Sequence, residues 1–356
     1  MTTHWLQYLE MNSKTGFFKS AVLILLAAVL VCGCTGKPHP IRQTELALGT
    51  VCSVSLFDSS KQALLPASFS LISQLENKIS KNIPDSEISN LNRNAGVSPV
   101  ILSEPVFNLL TMARKYSILS EGMFDVTIDP VVELWGIGTD HASVPERSKL
   151  EHAVSLVGYR KIVLDPGFSS AFLEGKETAV DLGGIAKGYI ADRVKDFLIS
   201  EGSSGGIIDL GGNILAFGKK PDGSDFRIGI QDPFGGRGSS IGVVTIPEGS
   251  VVTSGIYERF FEQDGKRYHH IFDVKTGFPV ENSLSGVSIV TKESAAGDAL
   301  STAVFALGLE KGMALVEKID GAEAICITKD KEVYISSGLK DCFTLTDRNF
   351  TMRGAF

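Results

Sequence analysis

Three short stretches of this sequence carry residue types suited to handling phosphate esters. In DLGGIAKGY, residues 181–189, Gly183 and Gly184 precede a helical run. Glycines there let the backbone approach a ligand closely, and the amides of a helix start favour a phosphate. Lys187 adds a point charge, although Gly188 follows it where a P-loop requires Ser or Thr. The same residues also suit a plain strand-to-helix turn with a solvated lysine. DLGG recurs at 209–212, where a tight turn made for packing is expected.

In AAGDALSTAVFALG, residues 295–308, Asp298 and Thr302 stand four apart and share a helical face, with Ser301 beside them. A carboxylate and a hydroxyl suit a hard cation such as Mg2+, which takes its other ligands from water and from substrate phosphates. With Gly297 at the helix start, Asp298 is expected to be exposed. The competing reading has Asp298 answering the helix dipole and Thr302 bonding back to the helix ladder. In YHHIFDVKTGFPV, residues 268–280, the adjacent His269 and His270 point to opposite faces of a strand, so only one serves a given site. Histidine has the intrinsic pKa to accept a hydroxyl proton near neutrality. Asp273 either caps the KTG turn or orients the imidazole.

The elements that must position these residues read as α plus β. LALGTVCSVSLF, from residue 46, alternates as a strand broken at Gly49. Over residues 64–79, Leu65, Phe69, Ile72, Leu75 and Ile79 fall on one helical face. Ser103 before Glu104 and Pro105 marks the N-cap of a helix that stops at Gly122. From Ile162 onward, IVLD, GIIDL, FRIGI, IGVVTI, VSIV, EAICIT and VYIS are short strands between Gly, Asp and Pro turns. Helices follow Lys187 and Gly297 and run from Glu310 to Ile319. The short turns favour antiparallel pairing, so the expectation is an α+β fold of mixed, largely antiparallel sheets packed with helices.

The chain of 356 residues has a formal charge of −7, which offers no basic face for nucleic acid. Lys14 and Lys19 precede an apolar run from Ala21 to Cys32, too short to span a bilayer but right for a secretory leader. The run ends in VCGC, similar to the lipobox at which bacterial lipoproteins are cleaved and diacylated on cysteine, here Cys34. A signal peptide over 1–33 and a Pro-containing flexible tether over 34–45 are expected, then a catalytic domain over 46–345 and a tail over 346–356. Cleavage before Cys34 leaves 323 residues at −8, since the leader carries two lysines and one glutamate. Cys52, Cys326 and Cys342 form an odd set without CxxC spacing, which leaves zinc unsupported and a Cys326–Cys342 disulfide open.

GMFDVTIDPVVELWGIG, DLGGIAKGYIAD, VVTSG, HIFDVKTGFP and GDALSTAVFALG occur in this order behind the leader. Together they resemble the ApbE family of FAD:protein FMN transferases across residues 46–345. The resemblance implies a T-fold-like catalytic body and a Mg2+-dependent enzyme. Such an enzyme cleaves FAD as its substrate, releases AMP and passes FMN to a threonine or serine of an acceptor protein through a phosphodiester. It further implies acceptors among the subunits of membrane redox complexes, and a periplasmic protein held by its N-terminal lipid to a membrane, the inner membrane for preference.

Carried over by motif, the resemblance places Asp298, Thr302 and the Ala186 carbonyl on the metal with Ser301 nearby. It makes His270 the general base. Leu48 matches the methionine of an MGT motif, and Met123, Phe124 and Asp125 match flavin and adenine contacts. Gly183, Lys187, Tyr189 and the backbone of Phe272 are implied to line the same cleft. Two departures stand out: Val274 replaces a proline of the HIxDP motif, and Asn82 occupies a position that is commonly tyrosine. An asparagine cannot stack on the isoalloxazine, a contact worth roughly 0.5–1.5 kcal/mol beyond area burial. Water then becomes a competing nucleophile, so FAD pyrophosphatase activity is the alternative in the same cleft. From a different class, a flavin-binding lipoprotein without turnover is the other.

Overall fold

The computed structural model describes residues 40–356. The expected leader, Cys34 and residues 35–39 of the tether lie outside the described residues. Strands and helices are numbered along the chain. The central sheet has the order β1 (Ile41–Ala47), β2 (Thr50–Leu56), β6 (Gly205–Leu210), β7 (Asn213–Gly218), β10 (Gly249–Gly255), β13 (Leu284–Thr291), β14 (Ala322–Thr328), β15 (Glu332–Ile335), β17 (Thr351–Ala355). Every neighbouring pair is antiparallel except β15 with β17. A smaller sheet joins β16 (Phe343–Leu345), β9 (Ser240–Ile246) and β8 (Phe226–Gln231). Another joins β3 (Val100–Ile101), β5 (Ser170–Leu173) and β4 (Ile162–Asp165). β11 (Phe260–Gln263) and β12 (Lys266–His269) form a separate hairpin. The fold is the α+β, mostly antiparallel body expected.

Side-chain alternation makes the central sheet a partition. Along β14, Ala322, Ala324 and Cys326 face the helix-side core, while Ile325 and Ile327 face a second core with Ile228, Ile230 and Val244 of the β16-β9-β8 sheet. β13 is buried at every position, as a strand covered on both faces must be. The helices are α1 (Leu64–Ile79), α2 (Glu87–Arg93), α3 (Glu104–Leu119), α4 (Asp129–Trp135), α5 (Arg147–Leu156), α6 (Ala186–Ser200), α7 (Ser294–Leu307) and α8 (Leu309–Val316). α7 packs on β10 and β13, and α6 lies beside it over β6 and β7. The apolar face expected for α1 is buried in full. No helix among the described residues is long and apolar enough to cross a membrane.

Several expectations change. The tether is already strand β1 from Ile41, held by pairing along its whole length to β2. The segment over 346–356 is no tail, because Phe350 is buried and β17 pairs with β15. Ser103 does occupy the N-cap of α3, but its hydroxyl and amide both bond to Glu87, at 2.7 and 2.6 Å. α8 ends at Val316, short of Ile319. Cys326 and Cys342 are both free and belong to different cores, on opposite faces of the sheet.

The two DLGG quartets fold differently. Gly211 and Gly212 both take left-handed φ, +68° and +92°, and turn β6 into β7 as a two-residue hairpin. This is the tight turn expected. Gly183 and Gly184 are not left-handed and lead into α6.

Candidate active site

The segment entering α6 is fixed by its neighbours before the helix begins. The Asn92 side chain brackets Val180, accepting from its amide at 2.8 Å and donating to its carbonyl at 3.0 Å. The Asp181 amide donates to Val126 O at 2.8 Å, and the Asp181 carboxylate accepts from the Gly183 amide at 2.7 Å. Gly184 then passes so near Phe124 that a Cβ would stand 3.1 Å from the ring and 3.7 Å from Thr302 Oγ1. Gly188 is tighter still, since its Cβ would meet Ser294 O at 2.2 Å. These glycines bring the start of α6 against α7.

α7 starts at Ser294, three residues before Gly297, so Asp298 sits a full turn inside the helix and is only 3% exposed. The expected exposed ligand is therefore a buried one. Asp298 Oδ2 accepts from the Gly188 amide at 2.9 Å, and Oδ1 lies 3.3 Å from Lys187 Nζ. Thr302 is half-buried and its hydroxyl has no hydrogen bond to another described residue, so it does not bond back to the helix ladder. Ser301 differs: its hydroxyl shares a 2.8 Å bond with Ser254 and donates to Asp298 O at 2.9 Å. It ties α7 to β10.

Among the described residues no group of three His, Cys, Asp or Glu side chains is placed to hold a metal ion. The donors gathered here are oxygens, the Asp298 carboxylate and the uncommitted Thr302 hydroxyl, both against the segment that starts α6. That set fits a hard cation and not zinc, and the Lys187 ammonium already supplies positive charge at the carboxylate.

The two histidines divide their work. His269 is buried, with Nε2 3.0 Å from Val280 O and Nδ1 accepting from the Ile271 amide at 3.3 Å. His270 retains exposed surface, and its Nδ1 lies 3.2 Å from Arg259 O. A carbonyl accepts only, so Nδ1 carries the proton and Nε2 keeps its lone pair. Withdrawal from water among packed neighbours lowers the His270 pKa to about 4, and the charges of Arg259 and Lys187 push the same way. The imidazole is a neutral acceptor at pH 7. Asp273 serves the turn, its carboxylate accepting from the Lys275 amide at 2.8 Å. Phe272 sends its ring into an aromatic cluster around Trp135, whose Nε1 donates to Gly277 O at 2.7 Å.

Other expected residues fall into two groups. Leu48 takes left-handed φ of +54° in the β1–β2 turn and packs half-buried on the main core, as does Met123. A bulky residue rarely tolerates that backbone, which marks the turn as constrained. Asn82 is exposed, and its side chain forms no hydrogen bond with a described residue. Asp125, by contrast, is buried with both oxygens engaged, by Thr127 and by the Tyr159 amide at 2.7 Å. Tyr189 is 3% exposed within the core, with Arg193 over its ring.

Sequence reasoning missed Lys81, Glu258 and Arg259. Lys81 Nζ pairs with Asp129, with Glu133 at 2.5 Å and with Asp181 at 3.6 Å, joining the Asn82 loop, α4 and the first DLGG. Burial alone lowers its pKa, but the charges of Asp181 and Asp129 raise it above the ordinary value. No spacing in the sequence announces that two carboxylates of α4 and one from the first DLGG meet on Lys81. Glu258 feels Lys187, Arg259 and Asp298 by charge, and withdrawal from water raises its pKa. YER, one residue beyond VVTSG, was the available signal.

The ApbE family pattern matches residues 48–326. The FAD:protein FMN transferase of Treponema pallidum (strain Nichols) is 36% identical over 96% of this chain and 99% of its own length. That of Klebsiella pneumoniae (strain 342) is 38% identical over 86% and 95%. Among solved structures, an ApbE protein of Thermotoga maritima superposes with a TM-score of 0.79 at 28% identity, covering 85% of this chain and 98% of that one. The flavin transferase ApbE of Vibrio cholerae gives 0.76 at 28% identity, covering 85% and 99%.

Proposed function

Because this chain belongs to the ApbE family, we propose that it is a FAD:protein FMN transferase, with His270 as general base and the α6–α7 junction as its phosphate site. The observation that carries the reading is the state of His270. Its Nδ1 proton is engaged by Arg259 O, its Nε2 has no hydrogen-bond partner among the described residues, and its pKa is too low for it to be charged at neutrality.

The acceptor is an alcohol of a protein threonine or serine. Its oxygen attacks the FMN phosphorus while His270 Nε2 takes its proton. The new P–O bond forms as the bond to the bridging oxygen breaks, and AMP leaves with that electron pair. A general base contributes roughly 10²- to 10⁴-fold, so positioning supplies most of the acceleration. Lys187, half-buried beside Asp298, meets the pyrophosphate charge. When bound, a divalent cation on Asp298, Thr302 and the Ala186 carbonyl supplies Lewis-acid neutralisation of the oxygens that gain charge.

The exposed Asn82 favours a second activity in the same site, hydrolysis of FAD to FMN and AMP, because the flavin lacks an aromatic partner there. VCGC after the apolar run supports a periplasmic protein anchored through Cys34, with acceptors in membrane redox complexes. Purified protein is incubated with FAD and Mg2+, with and without an acceptor subunit, while AMP release and covalent flavin on the acceptor are followed. Covalent flavin with matching AMP is expected. AMP release that never yields flavinylated acceptor leaves only the hydrolase, and no AMP at all removes both readings.

A further inference from the structure

Helices α6 and α7 cap one another. Asp192, in the second turn of α6, accepts from the amides of Ser294 and Ala295, the first residues of α7, at 2.9 Å each. In return Asp298, from the second turn of α7, accepts from the Gly188 amide in the first turn of α6. A helix start has amides without internal partners and a partial positive charge, and here each helix supplies the other's acceptor. Both carboxylates are buried.

The first residue of α7 is held from a further side. Ser294 Oγ donates to Asn213 Oδ1 at 2.5 Å and accepts from Ser250 Oγ at 2.8 Å. With Gly188 admitting no Cβ against Ser294 O, neither the rotation nor the height of α7 is free to drift. Asp298 and Thr302 lie one and two turns further along this helix, facing the start of α6.

We propose that Asp192 is a positioning residue for the metal site: by holding the first amides of α7 it aims Asp298 and Thr302 at the Ala186 carbonyl. The proposal rests on the reading of Asp298 and Thr302 as ligands. Outer partners of this kind typically set metal affinity by roughly 10- to 100-fold. A carboxylate that merely stabilised the fold would leave metal affinity untouched.

The test compares Asp192→Asn and Asp192→Glu with Ile228→Ala, which opens a cavity in the separate core behind the sheet. Mn2+ binding is measured on each purified protein without FAD, from the spin-resonance signal of the free ion, alongside thermal unfolding in chelator. Asp192→Asn should bind Mn2+ about tenfold or more weakly. Asp192→Glu should fall between it and the wild type, because the charge stays while the extra methylene displaces it. Ile228→Ala should lose thermal stability and bind as the wild type does. Wild-type affinity in folded Asp192→Asn overturns the proposal. Should that variant not fold, unchanged affinity in Asp192→Glu overturns it equally. Absence of Mn2+ binding by the wild-type chain is a separate failure, since it removes the ligand assignment to Asp298 and Thr302.

Discussion

At the scale of single residues, His270 makes the sharpest claim. Its pKa, lowered from 6.5 to about 4, means the folded protein binds fewer protons than the unfolded chain between those values. The stability this group contributes is therefore present above pH 6.5 and is lost as pH falls towards 4. The acid limb of kcat/KM should lie near pH 4 to 5 and not near 6.5, and a limb at 6.5 would show a histidine held no differently from one in water. His270→Ala should depress flavin transfer by roughly 10²-fold or more and hydrolysis less, since water can shed its proton to solvent. Equal loss of both counts against a base dedicated to the acceptor. Lys187→Met gives opposed effects. Removing the ammonium beside Asp298 should tighten Mn2+ binding roughly fivefold, about 1 kcal/mol for a partly exposed pair. It should also raise the KM for FAD by about tenfold or more, as loss of a charged hydrogen bond does. A parallel fall in both affinities would contradict the placement of Lys187 between metal and phosphate. Asn82→Tyr should slow flavin release and leave the purified protein yellow, which absorbance of the eluted protein reads directly.

At the scale of elements, the junction of α6 and α7 depends on Gly188 more than on any contact visible in the sequence. Gly188→Ala places a methyl carbon against the backbone oxygen of Ser294, a group that cannot swing aside. Overpacking typically costs about 1–3 kcal/mol and more where backbone must move. Reduced thermal stability together with weakened Mn2+ binding is the expected result, and an unaffected Mn2+ titration would mean the junction relaxes without moving Asp298. The sequence announced much of this region, because apolar spacing marks helices and Gly or Asp turns mark strands. α1 and the seven strands expected after Ile162 all exist. It did not reveal that Asp298 is buried, because the helix start depends on Asp192, more than a hundred residues away, capping Ser294. The two identical DLGG quartets differ because of what surrounds them, one shaped by hairpin pairing and the other by Asn92 and Val126. Asp125 and Tyr189 matched a motif, yet burial engages the first and encloses the second.

At the scale of the whole molecule, β1 forms one edge of the nine-stranded sheet and β17 the other, so the described chain enters at one border and leaves at the opposite one. The closing strand buries little, with Thr351 to Gly354 exposed, whereas Phe350 just before it is 5% exposed in the second core. Deleting residues 351–356 should therefore lower thermal stability only slightly. Phe350→Ala should cost about 3–5 kcal/mol, as large-to-small changes in a core do. Chemical unfolding of the two proteins makes the comparison, and a deletion more damaging than the core substitution would reverse the assignment. What the deletion exposes is the unpaired border of β15, a row of free backbone groups that recruits other strands. During synthesis that border stays open until Thr351–Ala355 arrive. A chain lacking Thr351–Ala355 would fold and pack its site, and would still present an open border for other strands to find.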